Sequence, residues 1–329
     1  MVKKLFLTHG PTPLWHHAAL DALVGTELWV KRDDMSSGAA AGNKIRKLEY
    51  LLADALAERA SAVITCGGAQ SNHARATALL AREVGLRPVL LLRTPNPAAR
   101  PEPAGNLLLD RMAGAEIRFI TPEQYRDRER LLAETKAELE SRGERAYVIP
   151  EGGSNGLGSL GYVDAMREVR AQLDAGLAGG IRRFDVVVHA CGSGGTTAGI
   201  ALGAEHYGVA ETTSAIAVCD DRSYFETVVA RIIDESRSLR PELRGQSEIV
   251  VHDAWKGPAY GVMSDEQLRF LIEVTETSGL VLDPSYTGKA LFGLSRMHPK
   301  PERALFFHTG GLPGLLAQSQ SLAEALGHP

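Results

Sequence analysis

Three cations fall within four consecutive positions of the stretch AGNKIRKLEYLLADAL: Lys44, Arg46 and Lys47. Apolar Ile45, Leu48, Leu52 and Leu56 recur there at helical spacing. Asn43 stands where an N-cap belongs, since its side chain can accept from free backbone N–H groups. Lys44 then lies in the first turn, where the macrodipole disfavours a cation. Either an anionic partner neutralises these charges, or one lysine serves as an uncharged amine. An amine with a depressed pKa is a nucleophile that can form a Schiff base. The plain alternative is a solvated surface lysine.

Several other candidate groups stand where a strand runs into a helix through glycine. In DVVVHACGSGGTTAGIALG a buried strand leads to Gly192, Ser193, Gly194, Gly195 and Thr196. Glycines let backbone N–H groups converge and hydroxyls add donors, which makes a phosphate cup. No Gly-Lys-Ser/Thr follows, and Thr197 stands where a dinucleotide fingerprint needs its third glycine. A single small phosphate therefore fits better, against the alternative of a tight packing turn. In ITCGGAQSNHARATALL, Ser71 and Asn72 precede a helix beginning near His73, leaving an anion-sized gap for a carboxylate or simply a capped helix. His73 could be a base, although a first-turn histidine is ordinarily an exposed surface group. Tyr260 in KGPAYGVMSDE and Tyr286 in LVLDPSYTGKALFGL occupy loops flanked by glycine or proline; tyrosines mostly anchor cores, and this placement raises a pocket role above that default. FFHTGGLPGLLA supplies a last strand-to-helix loop at Thr309, Gly310 and Gly311. Cys66 and Cys191 lie near these loops and read as small buried hydrophobes.

The elements that must position these groups alternate. The runs TELWVKR, SAVITCGG, RPVLLLR, AEIRFI, RAYVIPEGG, FDVVVHACG, SAIAVCDD and ERALFFHTGG are strand-like, and longer helical stretches separate them. That alternation predicts a parallel α/β architecture. A chain of 329 residues has room for two domains. RTPNPAARPEPAGN reads as a surface loop, and GGSNGLGSLGY as an irregular crossing between domains. With 44% hydrophobic and 23% charged residues and a net charge of −4, signs interspersed, neither nucleic acid nor an anionic membrane is an expected partner. The N-terminal residues do not read as a signal peptide, and no apolar run approaches the roughly 20 residues of a membrane span. Three scattered cysteines without CxxC spacing argue against disulfides or zinc and fit a reducing cytoplasm.

An imine-forming lysine, a phosphate cup and a carboxylate niche together suggest pyridoxal phosphate acting on an amino acid. Eight ordered blocks, GPTPL, KRDD, GNKIRKLE, QSNHAR, IPEGGSNGLGSLGY, GSGGTTAG, LDPSYTGKA and HTGGLPGL, strongly resemble the D-cysteine desulfhydrase and 1-aminocyclopropane-1-carboxylate deaminase family. The resemblance runs nearly end to end. It implies a pyridoxal-phosphate enzyme of the tryptophan-synthase-β fold type (type II): two three-layer α/β/α domains with twisted, mostly parallel sheets. A large domain of residues 1–45 and 155–329 would receive a small inserted one of residues 46–154. Lys44 would carry the cofactor, Asn72 would sit beside its phenolic oxygen, and Gly192 through Thr196 would hold its phosphate. Ser71, Asn72 and His73 would receive the substrate carboxylate, with Tyr286, Thr309 and Gly310 also in contact. Lys44, Ser71, Tyr260 and Tyr286 would share the catalytic work. No metal is implied, and a homodimer is.

Departures within the family narrow the expected activity. The deaminase branch resembles this chain but carries glutamate directly after the second tyrosine and leucine before the final double glycine. Here Thr287 and Thr309 stand there, the desulfhydrase pattern. A glutamate facing the pyridine nitrogen would make the ring a strong electron sink, whereas a threonine at 287 would give a milder one. A thiolate, from a thiol of pKa about 8.5, needs less help to leave than a cyclopropane ring to open. The expected reaction is therefore α,β-elimination from D-cysteine to pyruvate, ammonia and hydrogen sulfide. Ring-opening deamination and elimination from L-cysteate or another β-substituted alanine are the alternatives, with a non-catalytic phosphometabolite binder or cofactor carrier further off. Ala41 before Gly42 and the residues upstream of Ser71 depart from relatives and bear on the substrate.

Overall fold

All eight strand-like runs form strands in the computed structural model, which describes residues 2–327. They are β2 (Glu27–Lys31), β3 (Ala62–Gly68), β4 (Arg87–Arg93), β5 (Glu116–Ile120), β6 (Ala146–Val148), β7 (Phe184–Cys191), β8 (Ala210–Ala217) and β10 (Arg303–Phe307). Two short strands join them: β1 (Leu14–His16), which pairs antiparallel with β2, and β9 (Glu248–His252) at an edge. One sheet has the order β1-β2-β10-β7-β8-β9 and the other β5-β4-β3-β6. Every pairing except β1·β2 is parallel.

Both faces of each sheet are buried, which is why β7 and β4 read as nearly unbroken apolar runs. On β7 and β10, Val186, Val188, Ala304 and Phe306 pack on one side with Phe270 and Leu291. Phe184, Val187, Leu305 and Phe307 pack on the other with Tyr162 and Val169. In the smaller sheet Val63 meets Leu48 and Leu52, while Ala62, Ile64 and Cys66 meet Leu132 and Leu139. Three-layer α/β/α packing therefore holds for both sheets.

Three helices bring the candidate groups together. The lysine helix is Asn43–Ala57, and the helix following the glycine loop is Gly195–His206. Both press onto Gly156–Asp174. A Cβ on Gly161 would stand 2.1 Å from the Arg46 carbonyl oxygen, and one on Gly199 would stand 2.2 Å from that of Ser159. Neither contact admits a side chain.

This packing corrects the expectation of an irregular crossing at GGSNGLGSLGY. Only a short turn at Glu151–Gly153 precedes a helix capped by Asn155, whose side chain accepts from the Gly158 N–H at 2.8 Å. The glycines serve close helix packing rather than looseness. Asn43 is likewise not the N-cap. Gly42 holds that place at φ 123°, where a Cβ would lie 2.7 Å from the Thr309 carbonyl oxygen. The Asn43 N–H donates to that same carbonyl at 3.1 Å. The Asn43 side chain donates instead to the hydroxyl of Thr196, at 3.1 Å. Among the described residues, no helix is long and apolar enough to cross a membrane, and no cluster of three or more His, Cys, Asp or Glu is arranged to hold a metal.

Candidate active site

A cavity of about 770 Å³ opens where the carboxyl ends of β3, β4, β7 and β10 converge. Lys44, Ser71, Asn72, His73, Gly192, Ser193, Gly194, Thr196, Tyr260, Tyr286, Thr309 and Gly310 all line it. Residues from four separate strand-end loops and from the lysine helix thus meet around one space, as ligand sites in open parallel sheets do.

The three cations of the lysine helix have three different fates. Lys44 points into the cavity, its Nζ 3.5 Å from the Gly152 carbonyl oxygen, and desolvation lowers its pKa to about 8. Arg46 turns the other way. It binds Asp33 through Nε and Nη2 at 2.9 and 2.8 Å and reaches both Glu168 oxygens at 3.1 Å. Lys47 lies behind the glycine loop, donating to the Gly152 carbonyl at 3.1 Å and to Ser154 Oγ at 3.0 Å. Burial pushes its pKa well down, and the Lys44 charge pushes it further. Neither Lys44 nor Lys47 forms an ion pair among the described residues.

The loop at Gly192–Thr196 is built as a cup. Gly194 caps the following helix at φ 81°. Ser193 Oγ and Ser154 Oγ are 2.8 Å apart, and the Gly195 N–H reaches Ser154 Oγ at 3.3 Å. Gly195 itself sits behind the cavity wall, where a Cβ would come within 2.9 Å of Lys47 Nζ. An unpaired buried amine beside the positive end of a helix lacks an anion. The phosphate of pyridoxal phosphate fits that deficit. Asn72 also lines this space, and its Oδ1 is buried without a hydrogen-bond partner among the described residues.

Ser71 caps the helix Asn72–Glu83, accepting from the Ala74 N–H at 3.2 Å. His73 is buried, contrary to the expectation of an exposed first-turn residue. Its Nε2 lies 2.8 Å from Thr65 Oγ1, whose own proton goes to the Ile149 carbonyl, so Nε2 carries the hydrogen. Burial and the two nearby lysines hold its pKa far below the usual range, and the ring is neutral. What His73 can offer a carboxylate is therefore its backbone N–H.

Tyr260 and Tyr286 join hydroxyl to hydroxyl at 2.5 Å. Burial raises Tyr260 to about 12 and Tyr286 further, so both stay protonated. Thr287 departs from the expectation that it faces a ring nitrogen. It is fully buried and does not line the cavity; its hydroxyl donates to Asp283 Oδ1 at 2.7 Å and accepts from the Asp283 N–H at 2.8 Å. Thr309, by contrast, lines the cavity, and its hydroxyl has no partner among the described residues.

Sequence reading passed over four residues that hold this arrangement. Lys47 had a signal, since position i+3 shares a helical face with Lys44. Asp283 gathers the N–H groups of Ser285, Tyr286 and Thr287 and so aims Tyr286, a job that the DPS turn chemistry hints at. Lys289 ties the Tyr260 loop through the carbonyls of Lys256 and Ala259, and Ser154 bridges Lys47 to the cup. Nothing local in the sequence marks those last two. Cys66, Cys191 and Cys219 are free, and burial raises the Cys66 thiol to about 12.

Comparison with known proteins bears on this geometry. The family model for pyridoxal-phosphate dependent enzymes matches residues 5–310. A mitochondrial bifunctional D-cysteine desulfhydrase/1-aminocyclopropane-1-carboxylate deaminase of Arabidopsis thaliana is 41% identical, over 98% of this chain and 81% of that protein. A Thermotoga maritima protein described as a candidate 1-aminocyclopropane-1-carboxylate deaminase is 42% identical, over 97% of this chain and 99% of its own. The solved structure of an ACC deaminase homologue superposes with a TM-score of 0.86 at 33% identity, covering 98% of this chain and 96% of that one. Maize serine racemase shares the fold at a TM-score of 0.64 and 18% identity, over 96% and 92%. The chain is a fold type II, pyridoxal-phosphate-dependent lyase belonging to the D-cysteine desulfhydrase/1-aminocyclopropane-1-carboxylate deaminase family.

Proposed function

We propose that the protein catalyses α,β-elimination from a small amino acid, with D-cysteine preferred: D-cysteine and water give pyruvate, ammonia and hydrogen sulfide. Pyridoxal phosphate, when bound, supplies the electron-withdrawing ring that acidifies the substrate's Cα–H bond. Lys44 would hold it covalently, Lys47 and the Ser193–Thr196 cup its phosphate, Asn72 its phenolic oxygen, and Thr309 its ring nitrogen. The remaining work falls to side chains already in place. With a pKa of about 8, roughly one Lys44 amine in ten is neutral at pH 7, against about one in 2,500 for a solvated lysine. That amine is suited to take the α-proton at Nζ. The Ser71 hydroxyl and the N–H groups of Asn72 and His73 receive the carboxylate. Tyr260 and Tyr286 keep their protons and orient the β-substituent. Residues 46–154 act as an inserted lobe that carries the carboxylate side of the cavity.

The polar surroundings of Thr309 carry the choice of elimination over ring opening. That wall offers a free hydroxyl, while the nearby Asp283 carboxylate is taken up by three N–H groups and the Thr287 hydroxyl. A ring nitrogen met by a hydroxyl is a milder electron sink than one met by a carboxylate, and thiolate departure needs less assistance. The role first expected of Thr287 thus passes to Thr309. Ring-opening deamination is the second reading, favoured by the names of the relatives. Product release by the cofactor-loaded protein separates them, using D-cysteine, L-cysteine, β-chloro-D-alanine, L-cysteate and 1-aminocyclopropane-1-carboxylate. Pyruvate and sulfide from D-cysteine alone support this reading. 2-Ketobutyrate at a comparable rate overturns it in favour of ring opening, and a preference for L-cysteate overturns the D-cysteine assignment.

A further inference from the structure

Four arginines line the cavity and have no part in the scheme above, Arg93, Arg126, Arg128 and Arg231, and Arg93 stands apart from the others. Arg93 ends β4 and pairs in register with Gly68, the last residue of β3, three positions before Ser71. Its guanidinium carbon lies 4.7 Å from the ring centroid of Tyr125 and 6.0 Å from that of Tyr260. Gly68 packs on the same Tyr260 ring, since a Cβ there would be 3.9 Å from Cε1. Arg93 therefore stands on the side of the cavity that holds the Tyr260–Tyr286 hydroxyl pair. Among the described residues it makes no side-chain hydrogen bond and no ion pair. Of the other cavity arginines, Arg128 is paired with Glu151 at 2.9 Å and Arg231 reaches Glu235 at 3.4 Å, while Arg126, likewise unpaired among the described residues, is exposed to solvent where Arg93 is half-buried against two rings.

A half-buried guanidinium presents five N–H donors in a rigid fork, and no side chain among the described residues takes them. Two aromatic rings compensate the charge in part but accept none of those hydrogens in the plane of the fork. Elimination generates the missing partner. The Cα–H bond breaks, the Cβ–S bond breaks, and the electron pair of that second bond leaves on sulfur as hydrosulfide. The departing sulfur must meet a proton or a positive charge. Neither phenol is a good proton donor for it, because burial holds Tyr260 near 12 while hydrogen sulfide, the acid form of the leaving group, is far more acidic.

We propose that Arg93 receives the β-substituent as it departs as an anion, with the Tyr260–Tyr286 pair orienting it. The proposal rests on the elimination reading and deepens it. It selects substrates whose leaving group carries an anion that needs stabilising, a thiolate or an oxidised sulfur anion.

The test compares D-cysteine with β-chloro-D-alanine in the cofactor-loaded enzyme, because chloride departs without help. Arg93→Met keeps the stem that packs on the rings and removes the charge; Arg93→Lys keeps a charge. Arg93→Met is expected to lower kcat/KM for D-cysteine about 10- to 100-fold and that for β-chloro-D-alanine less than about threefold. Arg93→Lys should recover most of the loss. An equal fall with both substrates overturns the proposal and leaves Arg93 as cavity wall. Should Arg93→Met fold poorly, Arg93→Gln provides the same comparison. If the wild type releases pyruvate from neither substrate, the elimination reading fails and binding decides Arg93 separately. The probe is then 3-sulfopropanoate, titrated calorimetrically against wild type and Arg93→Met. A loss of about tenfold or more in affinity upholds the anion seat, and equal affinity sinks it.

Discussion

Two faces of the helix Asn43–Ala57 treat positive charge in opposite ways. On one face Arg46 enters a closed network with Asp33, Glu168, Thr12 and Tyr162, to which Lys31 adds a second cation. Two cations and two carboxylates balance there, and every charge has a hydrogen-bonded partner. On the other face Lys44 and Lys47 meet only carbonyls and a serine hydroxyl. Burial disfavours charge on both sides, and only on one do carboxylates outweigh it: Asp33 and then Glu168 hold Arg46 well above the usual arginine range, while both lysines are pushed down. The contrast teaches how to tell a structural cation from a chemical one. The structural one brings its counter-ions within the fold; the chemical one leaves the place for a ligand.

The largest effect should come from the cavity side. Lys44→Ala is expected to lower pyruvate release by about a thousandfold or more and to abolish the near-visible absorbance band that a lysine-linked cofactor gives. Normal turnover by this variant would erase the distinction between the two faces. On the closed side, Asp33→Ala leaves Arg46 and the Tyr162 hydroxyl without their shared partner. Denaturant unfolding should then report a loss of about 3–5 kcal/mol, as for other broken buried pairs. A milder result would mean water enters the network freely.

Lys47→Met sharpens the comparison, because it strands no carboxylate and releases only the Gly152 carbonyl and the Ser154 hydroxyl. Stability should hold or rise slightly, while affinity for pyridoxal phosphate in equilibrium dialysis falls about 10- to 100-fold. Unchanged affinity would take Lys47 out of the cup.

The pH limbs are smaller and opposite in position. Glu168 is held at about 2 by Arg46 and Lys31, below its unfolded value of about 4.3. Its contribution is complete above pH 4.3 and fades as pH falls toward 2, worth at most about 3 kcal/mol, and Glu168→Gln should remove that limb from the acid unfolding curve. Lys44 is lowered, so between about pH 8 and 10.4 the unfolded chain binds more protons than the folded one. The apoprotein should therefore gain at most about 3 kcal/mol as pH rises through that window, and Lys44→Met should flatten the gain.

Much of this was legible early because strand-end chemistry is local. Gly192–Thr196, Ser71, Asn72, Tyr286 and Thr309 announce themselves by residue type next to an apolar run, and all but Gly195, which lies just behind it, end in the cavity wall. Thr287 misled because adjacency to Tyr286 says nothing about direction: Tyr286 precedes the first helical turn, whereas Thr287 begins it and folds back on Asp283. His73 misled because helix position does not report what packs on the helix, here Gly153 and Thr65. Arg93 was invisible because its missing partner is an absence, and an absence exists only once every neighbour has been placed.

By itself the sequence determined the alternation of strand and helix, the glycine cup, and the conflict of three cations in one helical turn. Those follow from periodicity, backbone freedom and the macrodipole, which act over a few residues. Only the tertiary structure decided which cation would be paired, which would be left for an anion and which would lose its charge. That allocation depends on carboxylates more than a hundred residues away, such as Glu168 for Arg46, and on how deeply each amine is withdrawn from water.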